Sequence, residues 1–454
     1  MDFAVPDYAH IKDNKKLPKE IPGSYGLPFI GKTFSFVVDP YKVLHEQYTQ
    51  YGPVSRISLT FQKFVLALGP DFIQQLTLDR DQSFSARMGY DAPLGDFFAG
   101  GLLVRDFAEH KFHRRIMQTA FKTEAMRTYV DLMNPIIDQQ VSSWAEQDGF
   151  HFYPNIKTLL LDIGAKVFLG MDLGGSETRA LNQSFLQMND AVLAVIRKDW
   201  PGLLYRRGMN ARRDLEDFFV NLVPQRRGVS GNDMATFFAN EKTEEGEYFS
   251  EDVVGKHLIF LLLAAHDTTT SALTMSAHYL AQDQAQQERL RESVLGLGKE
   301  QLDYDDLGAN VMGLQHSFHE AMRLNPPVPS FMRRTIKDVE VGGYAIPPHT
   351  MVQVSPLYTM RMEEWWSNPG QFDPDRFERQ EHKQHSFLWA PFGGGAHKCI
   401  GLHFADMLYK CTLASILRKY RFRFAREGQF EGKIQHFPFA KPMDNLPLVL
   451  EKLN

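Results

Sequence analysis

The chain has two cysteines, and Cys399 stands in the segment PFGGGAHKCIG, Pro391 to Gly401. Three consecutive glycines, Gly393, Gly394 and Gly395, let the backbone reach positive φ and approach a flat partner closely. The thiol precedes a helical pattern, where backbone N–H groups and the helix dipole favour a thiolate. Such a sulfur suits a metal that takes a single thiolate. Zinc needs several Cys or His ligands at short spacing, and no CxxC or HxxxH accompanies Cys399. A lone cysteine is more often a small buried apolar residue; the glycine pattern argues against that here. A nucleophilic role would need a base and oxyanion donors, which the sequence does not reveal.

Three further pairs carry chemistry by spacing. Glu320 and Arg323, in HEAMRLNPP, share one helical face at i, i+3, so carboxylate and guanidinium can pair. His110 and Arg114, in EHKFHRRIMQTAF, lie four apart on one helical face, which out of context reads as a basic surface face. Asp267 and Thr268, in LLLAAHDTTTSAL, set an acid beside a hydroxyl, which suits proton delivery. Out of context the same triplet is a polar interruption of a helix.

The elements that must hold these residues are mostly helical. Apolar spacing predicts helices through most of 70–330 and again over 404–420, just past Cys399. VSRISLTFQKFVLALG (54–69) predicts a hairpin, and 338–356 returns to strand and turn residues. The Pro- and Gly-punctuated stretch 17–33 should be extended, giving an extended N-terminal segment (1–33) ahead of one large unit (34–454). At 43% hydrophobic and 23% charged, the chain can bury a large core. A net charge of −5 implies no global attraction to nucleic acid. Two cysteines and a polar N-terminus with no apolar run lead to the expectation of a cytoplasmic protein without a disulfide framework or membrane anchor.

Phe392, Gly395, Cys399 and Gly401 match the F-x-x-G-x-x-x-C-x-G signature, so the chain resembles the cytochrome P-450 family; His397 stands at the usual basic position. The resemblance extends over nearly the whole chain. It implies a mainly α fold with a smaller β region, and heme b (iron protoporphyrin IX) with Cys399 as the proximal ligand of its iron. FDPDRF resembles the segment that brings a second arginine, Arg376, to Glu320 and Arg323, a buried cluster of structural role. His110, Arg114 and Arg333 are implied partners of the heme propionates, with Arg334 as the alternative because a one-residue slip in a strand reverses the face. LLLAAHDTTTSAL resembles the oxygen-binding segment, with Thr268 serving dioxygen and Asp267 relaying protons. Ala265 stands where the family usually has Gly.

By the same analogy the substrate pocket draws on 84–104, 185–205, the central helix and VPSFM. Candidates are Phe84, Phe97, Phe98, Met188, Ala264, Val328, Phe331 and Phe439. Their apolar bias favours a lipophilic substrate, isoprenoid, steroid or fatty-acid-like. The implied reaction is insertion of one oxygen atom of O2 into a C–H bond. Electrons would come from NAD(P)H indirectly, through a separate ferredoxin or flavodoxin and its reductase. Lys111, Arg115, Lys398, Lys410, Arg418 and Lys419 form a candidate basic patch for that partner, or an ordinary solvated face. The alternatives are a peroxide-driven peroxygenase, an oxygen-independent rearrangement enzyme on the same fold, and a heme- or lipid-binding carrier.

Overall fold

The computed structural model describes residues 8, 10, 11, 17–59, 62–437 and 439–453, without the side chains of 92 and 93. Most of segment 1–16 therefore lies outside the described residues. Residues 17–32 run without a helix and touch the first strand through bridges at Gly23 and Gly31. Two helices follow, α1 (Thr33–Val38) and α2 (Pro40–Tyr51), the second started by the Asp39 side chain accepting from the Lys42 N–H with Pro40 next in line. The predicted hairpin forms as β1 (Val54–Leu59) and β2 (Gln62–Ala67) in antiparallel register. Next come α3 (Pro70–Leu78), β3 (Phe84–Ser85), α4 (Ala86–Tyr90) and α5 (Asp96–Phe98).

The helical body consists of α6 (Phe107–Gln118), α7 (Thr123–Ser143), α8 (Phe152–Leu169), α9 (Ser176–Val192), α10 (Leu204–Arg226), α11 (Met234–Asn240), α12 (Glu251–Gln282), α13 (Gln284–Leu295) and α14 (Met312–Leu324). Four strands and a helix follow: β4 (Phe331–Thr335), β5 (Val339–Val341), β6 (Tyr344–Ile346), β7 (Met351–Val354) and α15 (Pro356–Thr359). The chain then runs through short turns to α16 (Leu402–Lys419) and β8 (Tyr420–Phe424), β9 (Ile434–Gln435), β10 (Lys441–Pro442) and β11 (Leu448–Lys452).

One sheet has the order β1-β2-β7-β4-β3, parallel only between β2 and β7. The main core joins α7, α8, α10, α12 and α16, while a second apolar cluster fills the space under the sheet. α12 is the centre. Ser250 caps it by accepting from the Val253 N–H, and Glu251 and Asp252 meet the positive end of its dipole. Apolar residues lie all round it, as a helix enclosed by others requires. It is long and apolar enough to cross a membrane, but most of it is buried among its own protein.

Candidate active site

Cys399 sits three residues before α16, in the turn that leads into it. Its N–H donates to the carbonyl of Phe392 at 2.9 Å, closing the loop. The side chain is accessible, yet burial pushes the thiol pKa up, against lowering by the Gly401 N–H and by the charges of Arg114 and Lys398. Both facts hold when the sulfur faces a cleft enclosed by protein. Two of the glycines are required by their protein neighbours. Gly395 lies at φ +60°, and a Cβ there would come within 1.8 Å of the Thr77 carbonyl oxygen. At Gly394 it would meet Phe387 at 2.3 Å. The close approach these two residues permit is to the end of α3 and to their own loop.

Four cationic or imidazole side chains converge beside the thiol. α6 presents His110 and Arg114, the turn before Cys399 presents His397, and β4 presents Arg333. The His110 and His397 rings lie 3.9 Å apart. Burial holds His110 down at about 4, helped by the charges of Arg114, Arg333 and Arg105. Burial also holds His397 well below the ordinary range, with Arg333, His110 and Arg114 adding to it. The strand resolves the choice between neighbours: Arg333 is buried and faces this cluster, whereas Arg334 turns to His349 at 2.8 Å. Among the described residues no carboxylate is ion-paired with His110, Arg114, Arg333 or His397, and the buried Nδ1 of His110 has no partner. Two guanidiniums, Arg114 and Arg333, gathered beside two imidazoles with no carboxylate paired to them call for an anion. A heme with two propionates and one sulfur-bound iron fits these donors, and no cluster of three His, Cys, Asp or Glu offers another metal site among the described residues.

α12 carries the acid and the hydroxyl on different sides. Thr268 is half-buried beside an exposed Ala264, and its hydroxyl donates to the Ala264 carbonyl at 2.6 Å. Asp267 is buried on the other side, where Asn189 of α9 donates to its Oδ2 at 2.7 Å. Its Oδ1 lies 3.3 Å from His266 Nδ1 and 3.5 Å from Lys157 Nζ of α8. Burial pushes this carboxyl pKa up, but the His266 and Lys157 contacts outweigh it and the net direction is down. Asn189, Lys157 and Arg105 are site residues that sequence spacing did not reveal, because they come from other helices and loops. With Ala265 in place, α12 runs as unbroken α-helix through this stretch.

Glu320, Arg323 and Arg376 are brought into one buried cluster. Glu320 accepts from Arg323 at 2.7 and 2.9 Å, from Arg376 at 2.9 Å and from the Asp373 N–H at 3.0 Å. Arg323 also donates to the carbonyls of Met360, Pro369 and Gln371, which ties α14 to the loop before Cys399. Phe392 packs between Phe318 and Trp389.

Other candidates divide by packing. Ala264, Val328, Phe331 and Phe439 keep accessible surface, and Ser271 of α12 holds the Ala440 carbonyl at 2.7 Å, so Phe439 runs alongside that helix. Phe84 packs instead into the core under the sheet, and Phe97, Phe98 and Met188 into the main core. Their apolar surface is consumed by protein neighbours, which corrects the expectation that they line an open pocket. Lys410 also departs from expectation. It is buried, donating to Asp406 and to the Leu307 carbonyl, so it is no part of a surface patch. Arg115 pairs with Glu244 and Lys419 with Asp138, while Lys111 and Lys398 are exposed. A surface cleft of about 600 Å³ near Lys122 and Asn240 contains none of the candidate residues.

The cytochrome P450 family model matches residues 21–446. A putative cytochrome P450 136 of Mycobacterium tuberculosis is 36% identical, covering 95% of this chain and 88% of its own. Lanosterol 14-alpha demethylase of Bos taurus is 25% identical over 87% of this chain and 81% of its own. Among solved structures, a retinoic acid-bound cyanobacterial CYP120A1 superposes with a TM-score of 0.85 at 24% identity, covering 96% of this chain and 100% of its own. The sulfur turn, the anion-seeking cluster and these likenesses agree: the chain belongs to the cytochrome P450 family and is a heme-dependent monooxygenase.

Proposed function

We propose that the protein hydroxylates a lipophilic small molecule of isoprenoid, steroid or fatty-acid type, with electrons drawn from NAD(P)H through a separate ferredoxin or flavodoxin system. The observation that carries this reading is the open face of α12. Ala264 is exposed and Thr268 half-buried in the middle of the helix, just before the enclosed run 269–281, and the accessible pocket candidates Val328, Phe331 and Phe439 are apolar. A pocket so lined binds by burying apolar surface and has few groups to reward a polar substrate. The sterol demethylases among its relatives act on molecules of this kind.

Heme bound through Cys399 supplies reductive activation of O2, so that one oxygen atom enters the substrate and the other leaves as water. The chain's own residues do the rest. Cys399 would hold the iron through its sulfur, and His110, Arg114, Arg333 and His397 would hold the carboxylates of the group. Thr268 holds a proton at Oγ1 on the open side. Asp267, ionised and tethered to Asn189, lies near the partly exposed Lys157 and can pass protons inward when it turns.

The test is a panel of isoprenoids, steroids and fatty acids scored by the shift of the Soret band, followed by product analysis with a ferredoxin system. One class should shift the band and gain one oxygen atom, with both effects absent in Cys399→Ser. Turnover that runs on hydrogen peroxide and ignores the ferredoxin system would overturn the reading.

A further inference from the structure

Asp106 is buried at the start of α6, where its carbonyl accepts from the His110 N–H at 3.0 Å. An aspartate in that position ordinarily turns its carboxylate onto its own helix. This one does not. Phe107, the next residue, takes φ +48°, a left-handed conformation that few residues with a side chain adopt. The Asp106 carboxylate serves other elements instead. Its Oδ1 accepts from the N–H groups of Ala86 at 2.8 Å and Arg87 at 3.3 Å, in the first turn of α4. Its Oδ2 accepts from the Ser85 hydroxyl at 2.6 Å, and Ser85 in turn caps α4 by accepting from the Met88 N–H. The last donor comes from far away in the sequence. Tyr8 donates its hydroxyl to the same Oδ2 at 2.6 Å. Burial, with Asp106 adding to it, pushes the phenol pKa up, so the proton stays on Tyr8. Tyr8 also lies outside residues 21–446, the stretch shared with the family.

The segment anchored by Asp106 lies across the site. It leaves β3, which pairs with β4, and ends at α6. Near one end Gly89 packs so close to β4 that a Cβ would come within 2.9 Å of the Met332 carbonyl oxygen. Near the other, a Cβ on Gly101 would meet the Phe260 side chain of α12 at 2.9 Å. Phe260, Ala264 and Thr268 are spaced at i, i+4 and i+8 and share one face of that helix. The segment therefore reaches from β4 to the open face of α12, one turn before Ala264. Its own helices are short, five residues in α4 and three in α5, so its position depends on its attachments.

We infer that Tyr8 is the pin of an N-terminal strap: its hydroxyl completes the Asp106 carboxylate and holds the 86–105 segment down beside the open face of α12, setting how fast apolar molecules enter and leave. A buried carboxylate needs its oxygens filled by donors. Without the phenol, Oδ2 keeps only Ser85, and the hold on α4 weakens without being lost. Tyr8 is a positioning residue that acts through Asp106. The inference rests on the reading that this face admits the substrate. Its test uses a ligand of the heme iron, so failure of the substrate panel would leave it standing.

Hydrogen exchange of the heme-loaded protein, wild type against Tyr8→Phe, reads the pin directly, because the variant keeps the ring and loses only the hydroxyl. Exchange over 86–105 should quicken by about tenfold, as expected from losing one hydrogen bond to a buried charge, while α16 exchanges as in wild type. Stopped-flow binding of phenylimidazole, an apolar ring carrying an iron-binding nitrogen, should speed up severalfold in both association and dissociation and leave the affinity unchanged. A variant that exchanges as wild type overturns the proposal, and so does faster exchange spread evenly into α16. Faster exchange confined to 86–105 with unchanged binding rates overturns it too, since the segment would then not control access.

Discussion

At Thr268 a hydroxyl that should serve oxygen chemistry spends its proton on the Ala264 carbonyl one turn back. That bond is local to the helix and weak enough to exchange, so the group is stored in place rather than removed. Asp267 next to it is turned away and held by Asn189. The division of labour predicts distinct defects. Thr268→Ala should leave O2 consumption near wild type while product per O2 falls severalfold, measured by oxygen uptake against product yield. Unchanged coupling would remove Thr268 from its assigned role. The acid and the hydroxyl were legible as adjacent letters. Which of the two faces the core was not, because successive residues on a helix are about 100° apart and only the neighbouring helices say which direction is core.

The loop from α14 to α16 is centred on one fully buried carboxylate. Glu320 is fully buried and pairs with Arg323 and Arg376, whose remaining N–H groups reach the carbonyls of Met360, Pro369, Ser367 and Gln371 and, from Arg376, the Glu381 carboxylate at 2.8 Å. Replacing Glu320 by Gln leaves the buried Arg323 without its counter-charge, while Arg376 keeps Glu381 at 2.8 Å; the expected loss is about 3–5 kcal/mol, read by chemical denaturation and by heme retention. The i, i+3 pair was legible from helical spacing. The arrival of Arg376, 53 residues further on, rested on resemblance, since no local rule brings a distant loop to a buried carboxylate. The glycine run illustrates the same limit. Its unusual backbone was legible, but the partner that demands Gly395 is the Thr77 carbonyl, which only the packed structure reveals. The choice of Arg333 over Arg334 likewise followed from the pairing of β4 with β7.

Across the whole molecule several imidazoles are sealed in neutral form far from the cysteine turn. Burial lowers the pKa of His278 and of His436 to about 4. The unfolded chain, with ordinary values near 6.5, binds those protons first. Each site therefore leaves stability untouched above about pH 6.5 and removes up to ~1.4 kcal/mol per pH unit below it, until the folded value near 4 is reached. Thermal unfolding of the heme-loaded protein should shift to lower temperature between pH 6.5 and 4, and His278→Gln should flatten that slope. A slope unchanged by the substitution would mean that His278 is not sealed.

The amino-acid sequence alone determined the family, the cysteine, the mostly helical architecture and the hairpin, because each is written in short-range spacing or in a signature. Tertiary structure decided what depends on who the neighbours are. It closed Phe84, Phe97, Phe98 and Met188 into cores, buried Lys410, turned Asp267 towards Asn189 and Lys157, and left Val195 and Trp200 exposed. An apolar residue reads the same in a sequence whether it ends in a core, a pocket or a surface patch. Burial is a property of the folded surroundings, and those are assembled from segments far apart in the chain.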